Sequence, residues 1–234
     1  MKITEIETIQ LAEFPNLLWL HIHTDEGLIG LGETFFGADA VAAYIHETAA
    51  PRLLGADALQ IDRHSRTLLG NYLGFSGTGA EMRGASAVDI ALWDIFGKAT
   101  GQPIYQLLGG KSRDTIRTYN TCAGPHYVRT ANQQSVANWG LAAGANSRYD
   151  DLNGFLNRAD ELASDLLESG ITAMKIWPFD PYAEASDGYY ISKADLKRAL
   201  EPFAKIRKAV GDKMDIMVEF HSLWNLPPAM EIAA

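Results

Sequence analysis

Between a glycine and a proline the chain reads Ile171-Thr172-Ala173-Met174-Lys175-Ile176-Trp177-Pro178. A short apolar run of this kind, preceded by a helical pattern that stops at Gly170, is typical of a strand buried on both faces in a parallel sheet. Lys175 is the exception, because burying an ammonium is costly unless a partner is present. In parallel α/β architectures ligands bind at the carboxyl ends of the strands, so Lys175 is a candidate site residue.

A second stretch repeats this arrangement. Met214-Asp215-Ile216-Met217-Val218 follows a helical pattern that ends at Gly211, and it leads directly into Glu219-Phe220-His221. Parallel strands present their carboxyl ends at the same edge of a sheet. We therefore expect an ammonium, a carboxylate and an imidazole to meet at that edge, which predicts a functional site.

The second half of the chain alternates between predicted strands and helices, which favours a parallel sheet with right-handed crossovers. We predict a first strand over 115–122, a helix over 158–169, and a helical region over 193–210 that Ser192 caps and Pro202 breaks in two. Two long loops, 125–157 and 178–192, leave the carboxyl ends of strands. Loops of this length inside a compact domain are usually functional.

The first part of the chain predicts a three-stranded antiparallel meander over 2–11, 17–24 and 28–33, because Asp25-Glu26-Gly27 is a hairpin signal between two apolar runs. From residue 39 to about 101 the pattern becomes helical. The run Leu107-Leu108-Gly109-Gly110-Lys111-Ser112-Arg113 marks a boundary. We therefore predict an α+β domain over 1–113 and a second domain over 114–234.

One helix in the first domain is especially well marked. Ser86-Ala87-Val88-Asp89 has the spacing of a capping box and predicts a helix start. Gly101 and Pro103 predict its end. Apolar residues then recur at helical spacing and predict the buried face, at Val88, Leu92, Ile95 and Ala99.

Three weaker patterns have structural interpretations. His21 and His23 share one face of a strand, but no third ligand lies nearby in sequence, so an exposed polar face is favoured over a metal pair. Asp89 and Asp94 are five apart and point in different directions on a helix, which favours surface or capping roles. The run 74–79 is rich in glycine but lacks the Gly-Lys-Ser/Thr ending of a phosphate loop, so a glycine-rich connection is favoured.

Composition excludes several classes of protein. The net charge of −9 argues against a nucleic-acid or acidic-membrane partner, since both require basic patches. Cys122 is the single cysteine, so no internal disulfide can form and a reducing compartment is expected. No signal peptide and no run of about 20 apolar residues is visible, which predicts a soluble cytoplasmic protein.

Several motifs together resemble a known family. They are the run Ser86-Ala87-Val88-Asp89-Ile90-Ala91-Leu92-Trp93-Asp94, then Gly101-Gln102-Pro103, then Leu107-Leu108-Gly109-Gly110, between a meander with helices and a βα series. This order is similar to that of the enolase superfamily, in particular its mandelate racemase/muconate lactonizing enzyme branch. The resemblance implies an α+β capping domain followed by a (β/α)8-type barrel. It also implies abstraction of the proton next to a substrate carboxylate, with Mg²⁺ held by three carboxylates on successive strands.

The resemblance also assigns roles to residues. Lys175 matches the first lysine of the family's Lys-x-Lys strand motif, and Trp177 stands where the second lysine is usual. Glu219 matches the first metal ligand, and a carboxylate suits Mg²⁺. His221 lies where acid dehydratases of the family carry a proton-donating group. Candidate substrate-binding residues are Trp177, Asn120 and Phe36.

The implied function is a Mg²⁺-dependent dehydratase of a sugar acid. A racemase, epimerase or cycloisomerase of the same superfamily is an alternative, as is a non-catalytic truncated module that packs against another chain. From Thr115 onward 120 residues remain, whereas a complete barrel takes about 250. We therefore expect an incomplete barrel of about three strands, inactive alone, and a homo-oligomer when full length.

Overall fold

The computed structural model describes residues 1–70, 77–124 and 150–234. Part of the glycine-rich run, 74–76, and most of the loop predicted over 125–157 lie outside these ranges. The chain forms two compact units, Met1–Asp114 and Thr115–Ala234. In the described ranges, no helix combines the length and the apolar character that crossing a membrane requires.

Three antiparallel strands form the sheet of the first unit: β1 (Ile3–Leu11), β2 (Phe14–Thr24) and β3 (Ile29–Phe35), in that spatial order. The predicted meander is therefore confirmed. Buried and half-exposed residues alternate along β2, because successive side chains of a strand point to opposite faces of the sheet. One face of the sheet is thus available to pack against helices.

The helical part of the first unit is more divided than the sequence pattern indicates. Its segments are α1 (Ala38–Tyr44), a π-helical turn (Ile45–Ala49), α2 (Ala50–Leu53), α3 (Ile61–Leu69), α4 (Ala80–Thr100) and α5 (Ile104–Leu107). With the buried face of the sheet they enclose a core that includes Leu18, Leu20, Ile22, Ile45, Leu53, Leu92 and Ile95.

The predicted start of α4 is wrong. The helix begins at Ala80, and Ser86 lies inside it on an exposed position. The real start is set by Glu81, whose carboxylate accepts hydrogen bonds from the backbone N–H groups of Gly77 (2.9 Å) and Gly79 (3.3 Å). The left-handed Gly101 ends the helix as predicted, with φ 65°.

Most of the predicted buried face of α4 is correct. Val88, Leu92 and Ile95 are buried, whereas Ala99, in the last turn, is exposed. Asp94 has the structural role expected of it, since its Oδ2 accepts hydrogen bonds from the Leu31 backbone N–H and from a lysine of its own helix, both within 2.8 Å.

Two glycines of β3 allow α4 to lie directly on the sheet. A Cβ atom on Gly30 would lie 2.1 Å from the carbonyl oxygen of Ala91, and one on Gly32 would lie 2.1 Å from that of Ala87. These distances are far below van der Waals contact. The close approach of helix and strand therefore requires residues without side chains at both positions.

Replacing Gly32 with alanine is expected to lower the free energy of unfolding by about 2–3 kcal/mol, because the added methyl group would force α4 away from the sheet. The measurement is urea denaturation followed by circular dichroism. Gly77→Ala is the matched control, since the nearest atom to its added Cβ is 3.6 Å away. Equal unfolding midpoints for the two variants would show that the helix does not rest on the strand.

The second unit contains one small parallel sheet and its helices. In chain order the elements are α6 (Asp151–Asn157), α7 (Ala159–Glu168), β4 (Ala173–Ile176), α8 (Asp180–Ala185), α9 (Lys193–Val210), a 3-10 turn (Gly211–Lys213), β5 (Asp215–Val218) and α10 (Leu226–Ala233). Strands β4 and β5 pair in parallel, as predicted. Their apolar residues pack with those of α6, α7 and α9 in one core.

The predicted first strand of this unit is reduced to a single bridge. Of 115–122, Asn120 alone pairs with β4: its N–H donates to the Ala173 carbonyl (2.9 Å), and its own carbonyl accepts from the Lys175 N–H (2.8 Å). The expectation of three strands is corrected to two strands and a bridge in the described part of the chain.

Both predicted loops also contain helices, since α6 ends the first and α8 lies in the second.

The prediction that Pro202 breaks its helix is wrong. α9 runs unbroken from Lys193 to Val210, and Ser192 caps it as predicted by accepting a hydrogen bond from the Asp195 N–H (3.1 Å). A proline removes one N–H donor, but Pro202 is buried on the same face as Ala199 and Ile206. The packing of this face outweighs the missing hydrogen bond.

Candidate active site

Lys175 and Glu219 meet at the edge of the parallel sheet. Lys175 is opposite Met217 in the β4–β5 register, and Glu219 follows Met217 by two residues, so the two side chains lie on one face. The Lys175 Nζ is 3.0 Å from the Glu219 Oε2, and the side chains are 20% and 32% exposed. The structure therefore brings together an ammonium and a carboxylate that are 44 residues apart in sequence.

The other oxygen of Glu219 is held by the backbone that follows it. Its Oε1 accepts hydrogen bonds from the N–H groups of Phe220 (3.1 Å) and His221 (3.0 Å). Burial alone would raise the pKa of this carboxyl group, but the hydrogen bonds from Lys175 and from the His221 backbone outweigh it, and the net pKa is lowered. Glu219 is therefore a fixed, ionised carboxylate at neutral pH.

His221 pairs with a buried carboxylate that the sequence pattern did not indicate. The His221 Nδ1 is 2.7 Å from the Oδ2 of Asp180, a residue of α8 with no exposed surface. Burial raises the pKa of Asp180, while the hydrogen bond to His221 opposes this rise. The available signal was a lone acidic residue in an apolar and aromatic segment directly after a strand.

The turn that carries His221 has an unusual backbone. His221 and Ser222 have φ values of 44° and 57°, in the left-handed region that residues other than glycine rarely adopt. Such conformations persist where the surrounding contacts fix them, and they are frequent at functional sites. Here the turn directs the imidazole of His221, which is 15% exposed, towards Asp180.

Aromatic rings surround the charged groups. Trp177 is 1% exposed and meets the rings of His221 and Phe155 edge-on, with centroids 5.7 Å and 5.2 Å away. The Lys175 ammonium lies 5.5 Å from the ring centroid of Tyr119, a cation–π contact that the sequence did not predict. These rings hold the Lys175 and His221 side chains in place.

The other predicted substrate-binding residues have structural contacts. The Asn120 side chain donates to Asp151 (3.0 Å) and accepts from the Cys122 N–H (2.6 Å). Phe36 belongs to the first unit, where Arg83 lies 5.6 Å from its ring centroid. Substrate contacts of Trp177, Asn120 and Phe36 stay predictions.

Comparison with known proteins gives a consistent result. Residues 5–109 match the family model of the mandelate racemase/muconate lactonizing enzyme N-terminal domain, and residues 158–234 match the enolase C-terminal domain-like model. The chain belongs to the mandelate racemase/muconate lactonizing enzyme branch of the enolase superfamily.

Individual members of this superfamily are similar over most of the chain. A D-galactonate dehydratase family member from Streptomyces bingchenggensis is 31% identical over 94% of the chain and 51% of its own length. A D-mannonate dehydratase from Rhizorhabdus wittichii is 40% identical over 57% of the chain and 33% of its own length. A solved enolase of the mandelate racemase subgroup from Agrobacterium tumefaciens is 59% identical, with a TM-score of 0.81, over 100% of this chain and 54% of that one.

The chain thus spans about half the length of the first of these relatives. The resemblance to the enolase superfamily implies a Mg²⁺ ion, and the described residues can be compared with what such an ion requires. Mg²⁺ is bound by oxygen ligands, often one or two carboxylates together with water and substrate oxygens. Glu219 fits one such ligand, because its carboxylate is ionised and lies at the strand edge. In the described residues, no group of three metal-binding side chains includes Glu219.

In this enolase-superfamily site Asp180 is expected to position His221. Asp180→Asn keeps the shape of the side chain but removes the charge that faces the imidazole. We expect the activity of the protein that carries these 234 residues to fall at least about tenfold, with the loss in kcat rather than in KM. Retention of full activity would show that the Asp180–His221 contact is only structural.

The same substitution is expected to raise stability at neutral pH. Because the pKa of Asp180 is raised on folding, its charge makes the folded state less stable as pH rises from about 4 through the folded pKa. Unfolding of wild type and Asp180→Asn should therefore differ more at pH 7 than below pH 4. Asp195→Asn is the matched control with the opposite sign, since the hydrogen bond from Ser192 lowers the pKa of Asp195.

Proposed function

We propose that the protein carrying this chain is a dehydratase of a sugar acid. Relatives of the chain bear the names D-galactonate, D-mannonate and D-gluconate dehydratase. The observation that carries the proposal is the pairing of His221 with Asp180 (2.7 Å), directly beside the Lys175–Glu219 pair (3.0 Å). Such an elimination requires a base for the proton next to the carboxylate, a proton donor for the departing hydroxyl group and a positively charged group at the carboxylate. The described residues offer the last two, and the base would come from outside them.

The reaction removes a hydrogen from the carbon next to the substrate carboxylate and a hydroxyl group from the following carbon. Water leaves, and the resulting enol becomes a 2-keto acid. The difficulty is that the first proton is weakly acidic, so negative charge on the carboxylate must be stabilised. When bound with Glu219 as one ligand, Mg²⁺ would supply this stabilisation as a Lewis acid.

Lys175 adds a second positive charge at the same place. Its ammonium is oriented by Glu219 and by the ring of Tyr119, so it is fixed before a substrate arrives. An anionic substrate carboxylate is attracted to such a fixed cation more strongly in a partly buried site than in water. We infer that Lys175 binds the substrate carboxylate and stabilises the enediolate.

His221 is the candidate general acid. Its Nδ1 lies 2.7 Å from the Asp180 carboxylate, and a carboxylate in this position can support an imidazole that gives a proton to a departing hydroxyl group. Hydroxide leaves slowly unless it receives a proton. A proton from His221 would therefore allow the hydroxyl group to leave as water once the proton next to the carboxylate has been removed. Racemisation is less well supported, because it needs bases on both faces and Trp177 occupies the usual position of a lysine base.

A substrate screen tests the proposal. The purified protein carrying these residues is incubated with Mg²⁺ and a set of six-carbon and five-carbon sugar acids, and 2-keto product is measured as its semicarbazone. We expect product from one or a few stereoisomers and its loss with EDTA. Altered stereochemistry of the starting acid without 2-keto product would instead favour the racemase or epimerase alternative.

A further inference from the structure

A group of metal-binding side chains lies on the sheet of the first unit, and the candidate active site uses none of them. It consists of Glu7 on β1 and of His21 and His23 on β2. The strand register explains the meeting: Glu7 is directly opposite His21, and His23 follows two residues later on the same face. No third candidate ligand lies near these histidines in sequence, but the fold brings the Glu7 carboxylate beside both of them.

The donor atoms have the spacing that a transition metal requires. The Glu7 Oε2 is 3.2 Å from the His21 Nδ1 and 3.6 Å from the His23 Nε2, and the three donor atoms lie within 4.8 Å of one another. Bonds of about 2.0–2.1 Å in a tetrahedral zinc site place neighbouring ligand atoms about 3.3 Å apart. The two distances from the Glu7 oxygen bracket this value. The two nitrogens lie within 4.8 Å of one another, so a bound ion would draw them closer together where they exceed it.

The hydrogen bonding of His23 gives a second indication of a metal site. Its Nε2 is shielded from solvent and has no hydrogen-bond partner among the described residues, although it points towards Glu7. A buried ring nitrogen that makes no hydrogen bond lowers the stability of the fold. A bound metal would satisfy this nitrogen, the neighbouring imidazole and the carboxylate at once.

We propose that Glu7, His21 and His23 bind a divalent transition-metal ion of the zinc class. Two imidazoles and one carboxylate suit Zn²⁺, Ni²⁺ or Cu²⁺, whereas Mg²⁺ is bound by oxygen ligands. Three protein ligands leave at least one coordination position for water. The ion would join β1 to β2, and its ligands differ from the one proposed for Mg²⁺ at Glu219.

Zinc binding to purified, metal-free protein tests the proposal. Equilibrium dialysis against ⁶⁵Zn²⁺ is done with excess Mg²⁺ present, because Mg²⁺ competes for oxygen sites such as the one at Glu219 but not for imidazoles. We expect saturable binding that weakens at least about tenfold in His21→Asn, His23→Asn and Glu7→Gln. Zinc held elsewhere in the protein would be unaffected by these three variants.

Matched controls separate this site from general surface effects. Glu5→Gln removes a carboxylate opposite His23 that is not part of the group, and His46→Asn removes an exposed imidazole of the π-helical turn. Both are expected to bind zinc as wild type does. Circular dichroism and unfolding without metal show whether each variant is folded, and Glu7→Gln serves if a histidine variant is not.

Two further readouts decide the outcome. Zinc should raise the unfolding temperature of wild type and of Glu5→Gln, but not of His23→Asn. Co²⁺ should give d–d absorption without a sulfur charge-transfer band, since Cys122 is buried in the second unit and burial raises its pKa to about 12. Absence of saturable zinc binding, or binding that is unchanged in His23→Asn, overturns the proposal. Neither result bears on the dehydratase activity.

Discussion

Replacing Glu219 with glutamine is expected to lower kcat/KM of the protein carrying this chain by about a thousandfold, the upper end for removal of one group that stabilises an oxyanion. The amide has nearly the same shape but no charge. The substitution would therefore weaken the binding of Mg²⁺. It would also remove the charge that holds the Lys175 Nζ 3.0 Å from the Glu219 Oε2. Activity is measured with the sugar acid identified by the screen, over a range of Mg²⁺ concentrations.

The matched control is Glu168→Gln, an exposed carboxylate near the end of α7, which should keep wild-type activity. If Glu219 is a metal ligand, added Mg²⁺ should partly restore the rate of Glu219→Gln. A rate equal to wild type at all Mg²⁺ concentrations would remove the metal from the proposed mechanism.

The stability of Glu219→Gln should depend on pH in a defined direction. The folded pKa of Glu219 is lowered, so its contribution to stability is present above the unfolded value, near 4.3, and is lost as pH falls through the folded pKa. The pair with Lys175 is partly exposed, so the difference from wild type at pH 7 should be on the order of 1 kcal/mol. It should vanish in acid.

Replacing His221 with asparagine is expected to slow dehydration by about 10²- to 10⁴-fold, the usual contribution of a general acid. If His221 acts only on the departing hydroxyl group, removal of the α-hydrogen should continue. Incubation in D2O, followed by NMR, should therefore show deuterium at that carbon of recovered substrate. Loss of both exchange and dehydration would instead identify His221 as the base or as a substrate-binding group.

Two comparisons sharpen this test. His46→Asn removes an imidazole of the first unit that bonds Thr8 (2.8 Å), and it should leave the rate unchanged. The double variant Asp180→Asn/His221→Asn should be no slower than His221→Asn alone, because Asp180 is proposed to act only through His221. Additive losses would contradict that role.

Much of the candidate site was predictable because it depends on local pattern and on the geometry of strands. An isolated lysine in an apolar run, and a carboxylate and an imidazole after a second run, were enough to predict that Lys175, Glu219 and His221 meet. The period of two residues along a strand and the parallel pairing of β4 with β5 then place Lys175 and Glu219 on the same face.

Other features were not predictable from local pattern. A proline usually ends a helix, but Pro202 lies within α9 because the buried face around it contributes more than one missing hydrogen bond. Likewise, the capping-box spacing at Ser86 is real in the sequence, yet Glu81 begins the helix earlier by bonding the backbone of Gly77 and Gly79. Helix propensity and motif spacing therefore predict helix ends poorly where tertiary packing or a competing cap is present.

The sequence by itself determined the meander, the parallel strand pair, the family and the lysine, carboxylate and imidazole at the strand edge. These follow from periodicity, turn residues and motifs, which act between residues close along the chain. Only the tertiary structure decided that Asp180 supports His221, that Gly30 and Gly32 admit a helix, and that Glu7 joins two histidines. Each of these contacts depends on how strands and helices are placed beside one another, and distance along the chain carries no information about that placement.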